Sequence, residues 1–147
     1  MTWADELETS LSPKPQFLVE MPDGIRDWTE IGRQTTLFSV MRMAAPKVFG
    51  MAVPNAGKRN PMQARREGIR SGAFDTVWHS YPRLIAYVEM KGYDSRGRAG
   101  SLSTNQIEFG NRMTALGIPC GCFFDPCSAV SWLREQGFPV TEVRNGR

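Results

Sequence analysis

Leu84-Ile85-Ala86-Tyr87-Val88-Glu89-Met90-Lys91 is an apolar run that ends in two charges spaced two residues apart. Its length and its aromatic and β-branched content predict a buried strand, preceded by the turn residues Ser80, Tyr81 and Pro82 and followed by Gly92. Side chains on a strand alternate between faces, so Glu89 and Lys91 project together, ~6 to 7 Å apart along the chain. A charge at the end of a buried strand is costly unless it is paired or bound to a metal, and the neighbours here are Val88 and Met90. A hairpin with the preceding predicted strand, Asp75 to His79, would bring Asp75 near Glu89. Two carboxylates at one end of a sheet make a hard oxygen site suited to Mg2+ or Mn2+, and a lysine beside it can orient water or steady charge on a phosphate. The plainer reading of the same triplet is a surface ion pair between Glu89 and Lys91.

The flanking sequence predicts alternating helices and strands. A helix spans about Trp28 to Ala45, with Asp27 as a possible N-cap and Pro46 as its stop. Val48 to Val53 reads as a short strand closed by Pro54, Asn55, Ala56 and Gly57. Pro61 opens a helix to about Ile69. After the hairpin and a glycine- and arginine-containing loop from Gly92 to Gly100, Ser103 or Thr104 caps a helix to about Leu116. Gly117 ends that helix, Ile118 to Phe124 is a buried strand, and Ser128 to Gln136 is a closing helix. The order implies an α/β fold with a central mixed sheet between helices. Residues 1–26 contain Pro13, Pro15, Pro22 and Gly24 without sustained periodicity, and read as an N-terminal arm that is irregular or extended. Residues 27–147 are expected to form the main domain. Trp78, Tyr81 and Tyr87 are expected in the core or on a sheet face.

A chain of 147 residues fits one domain, and its 41% apolar and 22% charged composition is that of a globular protein. No apolar run approaches the ~18 residues of a membrane span, and the acidic start with Asp5, Glu6 and Glu8 is unlike a secretory signal, so a cytoplasmic location is expected. The net charge of +3 is unevenly spread. Residues 1–30 hold seven acids against Lys14 and Arg26, a net of −5, whereas the remainder holds sixteen bases against eight acids, a net of +8. The second part has charge enough for a phosphate-binding surface, with solubility alone as the bland alternative. Asn55, Lys58, Arg59, Arg65, Arg66 and Arg70 form one candidate nucleic-acid track, and Arg96 and Arg98, beside Gly97 and Gly100, form a second; an ordinary solvated face is the alternative for both. Cys120, Cys122 and Cys127 invite a zinc reading, but they lack paired Cys-x2-Cys knuckles and the single His79 is distant, so free thiols beside a buried strand are expected. No Ser, Cys or His nucleophile is set beside a base by any motif.

Five signals occur in order: Glu30-x3-Gln34, Val53-Pro-Asn-Ala-Gly-Lys-Arg59, Gly72-Ala-Phe-Asp75, Glu89-Met-Lys91 and Leu102-Ser-Thr-Asn-Gln106. Over about residues 27–136 the chain resembles the virus-type replication-repair nucleases, the VRR-NUC family of PD-(D/E)xK nucleases, which have a restriction-endonuclease-like fold. The resemblance implies that Asp75 and Glu89 are metal ligands, Lys91 the catalytic lysine, Glu30 an accessory acid and Gln106 an active-site helix residue. A solvated helix-dipole partner is the alternative for Glu30, and a polar face residue for Gln106. Phe74 stands where the family usually carries proline before the acid.

On this reading one or two Mg2+ or Mn2+ ions, held by Asp75, Glu89 and the Met90 carbonyl, support hydrolysis of a phosphodiester by water, with no organic cofactor. Stand-alone members act as homodimers on branched DNA such as four-way junctions, which implies the same partners here in a bacterial or phage-infected cell. A non-catalytic DNA-binding module or subunit on the same fold is the competing class.

Overall fold

The chain is arranged around one mixed sheet, and the computed structural model describes residues 2–4, 13–54 and 60–141. In order these residues form β1 (Leu18–Val19), α1 (Glu30–Ala44), β2 (Phe49–Ala52), α2 (Pro61–Arg66), β3 (Thr76–Ser80), β4 (Leu84–Met90), α3 (Thr104–Ala115), β5 (Cys120–Phe123) and α4 (Pro126–Glu135). The strand order is β1-β5-β4-β3-β2. β2, β3 and β4 form an antiparallel meander, while β5 runs parallel to β4, and β1 parallel to β5. The expected α/β class, a mixed sheet with helices on both faces, is observed.

Alternation along β4 divides the molecule. Ala86, Val88 and Met90 face the main core, where they meet Trp78, Phe123, Leu37 and Met41 of α1, and Ala129, Val130, Trp132 and Leu133 of α4. Tyr87 and Glu89 face the other way, toward α3. There Phe74, fully buried, is packed between Phe17 and Phe109 with ring centroids 5.4 Å from each, and Tyr87 meets Phe109 edge-on at 5.1 Å. An aromatic side chain at position 74 thus fills space beneath α3, which a proline ring would leave largely empty. On the core side, Gly50 of β2 has no side chain because a Cβ there would lie 2.2 Å from the Trp78 ring.

Several local expectations need correction. α1 starts at Glu30 because Thr29, not Asp27, is its N-cap: the Thr29 hydroxyl accepts a hydrogen bond from the Gly32 amide at 3.1 Å. α4 starts at Pro126, two residues early, because Asp125 caps it and proline suits the first turn. α2 ends at Arg66, with Gly68 in the left-handed region just beyond it. The arm of residues 1–26, expected to be irregular or extended, supplies the short extended strand β1 to the sheet edge. Tyr81, expected on a sheet face, stands exposed in the turn between β3 and β4. Among the described residues no helix is long and apolar enough to cross a membrane.

Leu37 is fully buried at the centre of the α1 contact with the sheet, whereas Met43 on the same helix is 84% exposed. Leu37→Ala is expected to lower unfolding free energy by about 2–5 kcal/mol in urea denaturation, and Met43→Ala by under about 0.5 kcal/mol. Similar losses for the two would show that α1 does not pack as described.

Candidate metal centre

Glu89 is the last inward-facing residue of β4 on the α3 side, and it is fully buried. One of its oxygens, Oε2, accepts from the Asp75 backbone amide at 2.8 Å, which fixes the entry to β3 relative to β4. The other, Oε1, accepts from Gln106 Nε2 at 2.8 Å and lies 3.4 Å from Lys91 Nζ. The Gln106 carbonyl oxygen accepts in turn from Lys91 Nζ at 3.1 Å and from the Ser103 amide at 3.0 Å. Gln106 is the N3 residue of α3 and Ser103 its N-cap, and the two form a reciprocal capping box. The same amide therefore terminates the helix, orients the lysine and holds the carboxylate.

Two glycines allow this convergence. At Gly72, with φ of +82°, a Cβ would lie 2.3 Å from the Asn105 carbonyl carbon, so only glycine lets the segment before Asp75 reach the first turn of α3. Gly92 follows the lysine, and a Cβ there would lie 2.4 Å from the Glu30 backbone nitrogen. The chain leaving β4 consequently lies directly against the start of α1.

That contact brings in a third acid. Carboxylate oxygens of Glu30, Asp75 and Glu89 lie within 4.8 Å of one another. Glu30, the acid in the first turn of α1, thus lies beside the other two. Among the described residues the group is poorly neutralised: three carboxylates share one ammonium, a net of −2 when all are ionised. Burial raises the pKa of Glu89 to about 7, helped by the charge of Asp75 and opposed by Lys91. Burial also raises that of Glu30, with Asp75 adding to the effect and Lys91 opposing it. A cation that coordinates three or more oxygens would supply the compensation that protons otherwise provide, and carboxylates are the donors Mg2+ and Mn2+ favour. The donor set fits such an ion.

The remaining expected site residues are placed as follows. The Met90 side chain is fully buried in the main core, on the opposite face of β4 from its two charged neighbours. Arg65 and Arg66 of α2 and the following Arg70 are exposed. Asn55, Lys58 and Arg59 lie outside the described residues. Arg96 and Arg98 are exposed on a turn that Asp94 organises, accepting from both of their backbone amides at 2.9 Å and from Arg98 Nε at 2.8 Å. The Arg98 guanidinium is thus already shared with a carboxylate. Cys120 and Cys122 are buried in β5, with thiols pushed up to about 12 by burial, while Cys127 is exposed at the start of α4. Such thiols stay protonated and are poor metal ligands. Arg33, three residues after Glu30 on α1, carries no sequence signal that marks it, yet it is fully buried.

No protein-family model, curated protein or solved structure matches the chain. Two larger concavities, of about 570 and 610 Å3, are lined by residues near α4 and along β2 and include none of the three acids. The acids instead sit at the mouth formed by β4, α3 and the start of α1.

Because Glu30 and Glu89 bind protons more tightly in the folded protein than in the unfolded chain, they favour folding most below the ordinary glutamate value of 4.5, and the Glu89 contribution is lost as pH rises through about 7. In chelator, Glu89→Gln is expected to become more stable relative to the parent protein between pH 5 and pH 8, read as the difference in urea midpoint. Parallel pH profiles for the two proteins would contradict the raised pKa of Glu89. Mg2+ or Mn2+ is expected to raise the melting temperature more at pH 8 than at pH 5.5, since the ion competes with those protons.

Proposed function

We propose that the chain is a divalent-cation-dependent phosphodiesterase that cleaves nucleic acid, a nuclease of the PD-(D/E)xK type with a restriction-endonuclease-like fold. The observation that carries the reading is the convergence of Asp75, Glu89 and Glu30 with Lys91 at the rim of the sheet. The spacing of Glu89 and Lys91 on one strand and the placement of Gln106 by the capping box of α3 agree with the VRR-NUC resemblance.

In this reading Asp75, Glu89 and Glu30, with the Met90 carbonyl, would hold Mg2+ or Mn2+. The bound ion would polarise the scissile phosphate and make a water more acidic. Lys91, oriented by Gln106, presents its ammonium beside the carboxylates, where it stabilises negative charge building on the phosphate or orients the attacking water. Gln106 and the Asp75 amide keep Glu89 from turning away. Arg65, Arg66 and Arg70, and Arg96 on its ordered turn, are suited to backbone phosphates, which fix register without reading sequence. By resemblance the substrate is branched DNA, four-way junctions included, and the working form is a homodimer.

Purified protein incubated with labelled linear, flap and four-way DNA is expected to cut at least one of them with Mg2+ or Mn2+ and none with a chelator. Lys91→Ala and Glu89→Ala are expected to lower cleavage by roughly a hundredfold or more while leaving DNA binding nearly intact. Binding without cleavage under every metal would place the chain among DNA-binding modules instead. Equal loss of folding in both variants would reduce Glu89 and Lys91 to a structural ion pair.

The basic track has its own signature. Replacing Arg65 and Arg66 together should weaken binding across sequences and flatten the dependence of log affinity on log salt by about 2. An unchanged slope would remove α2 from the interface.

A further inference from the structure

Glu30 reaches the cluster from outside the sheet, so something must fix the start of α1 against the end of β4. The residues that do so come mainly from the segment leading into α1. Arg33, in the first turn but one of α1, is fully buried, and every one of its guanidinium nitrogens is engaged. Nη1 and Nη2 donate to the two carboxylate oxygens of Asp23 at 2.6 and 3.0 Å. Nη1 also donates to the Phe124 carbonyl at 2.7 Å, Nη2 to the Ile25 carbonyl at 2.9 Å, and Nε to the Trp28 carbonyl at 3.0 Å. The rings of Trp28, Tyr93 and Phe124 surround the cation, with centroids 4.7, 5.6 and 5.5 Å from Cζ.

The carbonyl of Trp28 is shared. It accepts from the Tyr93 amide at 3.2 Å as well as from Arg33, and the Tyr93 hydroxyl accepts from the Gly24 amide at 2.8 Å. Residues 23–29 are therefore clamped between Arg33 and the chain that leaves β4 through Lys91, Gly92 and Tyr93. At the centre of that clamp the Thr29–Glu30 peptide lies against Gly92, one residue beyond the lysine. Upstream, Glu20 anchors the same segment by accepting from the Phe124 and Asp125 amides at 3.0 and 2.8 Å.

We propose that Arg33, locked by Asp23, is a positioning residue: it seats residues 23–29 against Gly92 and Tyr93 so that Glu30 becomes the third oxygen ligand of the cation site. The inference rests on the metal-site reading given above. An arginine suits this role because its planar fork can serve a carboxylate and three carbonyls at once, which the single ammonium of a lysine cannot. The paired charge also explains how a fully buried cation is tolerated so close to the core. Arg33 touches none of the three acids, so its influence passes entirely through the backbone of residues 28–30.

The test is a cycle of Mn2+ titrations, by calorimetry, on the parent protein, Asp23→Asn, Glu30→Gln and the double variant, all checked for folding by circular dichroism. Asp23→Asn is expected to weaken Mn2+ binding by about tenfold, the scale typical of groups that orient ligands without touching the metal. Glu30→Gln should weaken it at least as much, and the double variant should bind no worse than Glu30→Gln alone, since a lock has nothing left to position. If Asp23→Asn does not fold, Tyr93→Phe takes its place in the cycle, because it removes only the hydroxyl that holds Gly24. Unchanged affinity in the lock variant, or a loss that adds in full to that of Glu30→Gln, overturns the inference while leaving the metal site standing. A parent protein that takes up no Mn2+ overturns the metal-site reading itself, and the inference with it.

Discussion

Burying Glu89 is the constraint around which the acidic end of this protein is organised. A carboxylate at that depth is tolerated only where donors meet both of its oxygens, and each donor comes from a different element: the Asp75 amide at the entry to β3, Gln106 from α3, Lys91 from the end of β4. Meeting that need draws three pieces of chain to one point. The same convergence then creates a second problem, because Asp75 and Glu30 arrive with charges of their own. Lys91 offsets one of three. The excess negative charge shows in the raised pKa values of Glu89 and Glu30, which distinguishes the cluster from an ordinary buried ion pair.

The structural features legible in the sequence were those that depend on short-range rules. Period-two alternation along Leu84–Lys91 is a local property, so it correctly puts Glu89 and Lys91 on the face opposite Ala86, Val88 and Met90. Ser103 and Gln106 are three residues apart, the spacing of a capping box, and the helix they open is found where Ser103 predicts it. Asp75 is brought to Glu89 by a hairpin whose turn residues are adjacent in sequence. The helix starts were less well read. Asp27 and Thr29 are both plausible caps by type, and tertiary contacts of Trp28 with Arg33 and Tyr93 decide between them.

What could not be read is how Glu30 arrives. Its nearest partners lie 45 and 59 positions along the chain, and the segment that delivers it has no periodicity, because it is held by side chains rather than by repeating backbone bonds. Arg33 shows the same limit: on an otherwise mixed helix it reads as one more surface base, and only the ring of Trp28, Tyr93 and Phe124 reveals that it is interior. Proline and glycine in residues 13–26 signal irregular backbone correctly, but irregular backbone is not the same as a dispensable tail. Gly92 was visible as the start of a loop, but its actual role, like that of Gly72, is to let two backbones touch.

The pairing of β1 with β5 joins residues about a hundred positions apart, Leu18 with Gly121 and Val19 with Cys122. Loop closure on that scale carries a substantial entropic cost and gains its reward only when both ends are present. A growing polypeptide that has emerged only as far as α3 has the hairpin and its glutamate but lacks the strand on which β1 must dock and the Phe124 carbonyl that Arg33 holds. The acidic cluster is in this sense a late product of synthesis: its first carboxylate in chain order is among the last to be secured.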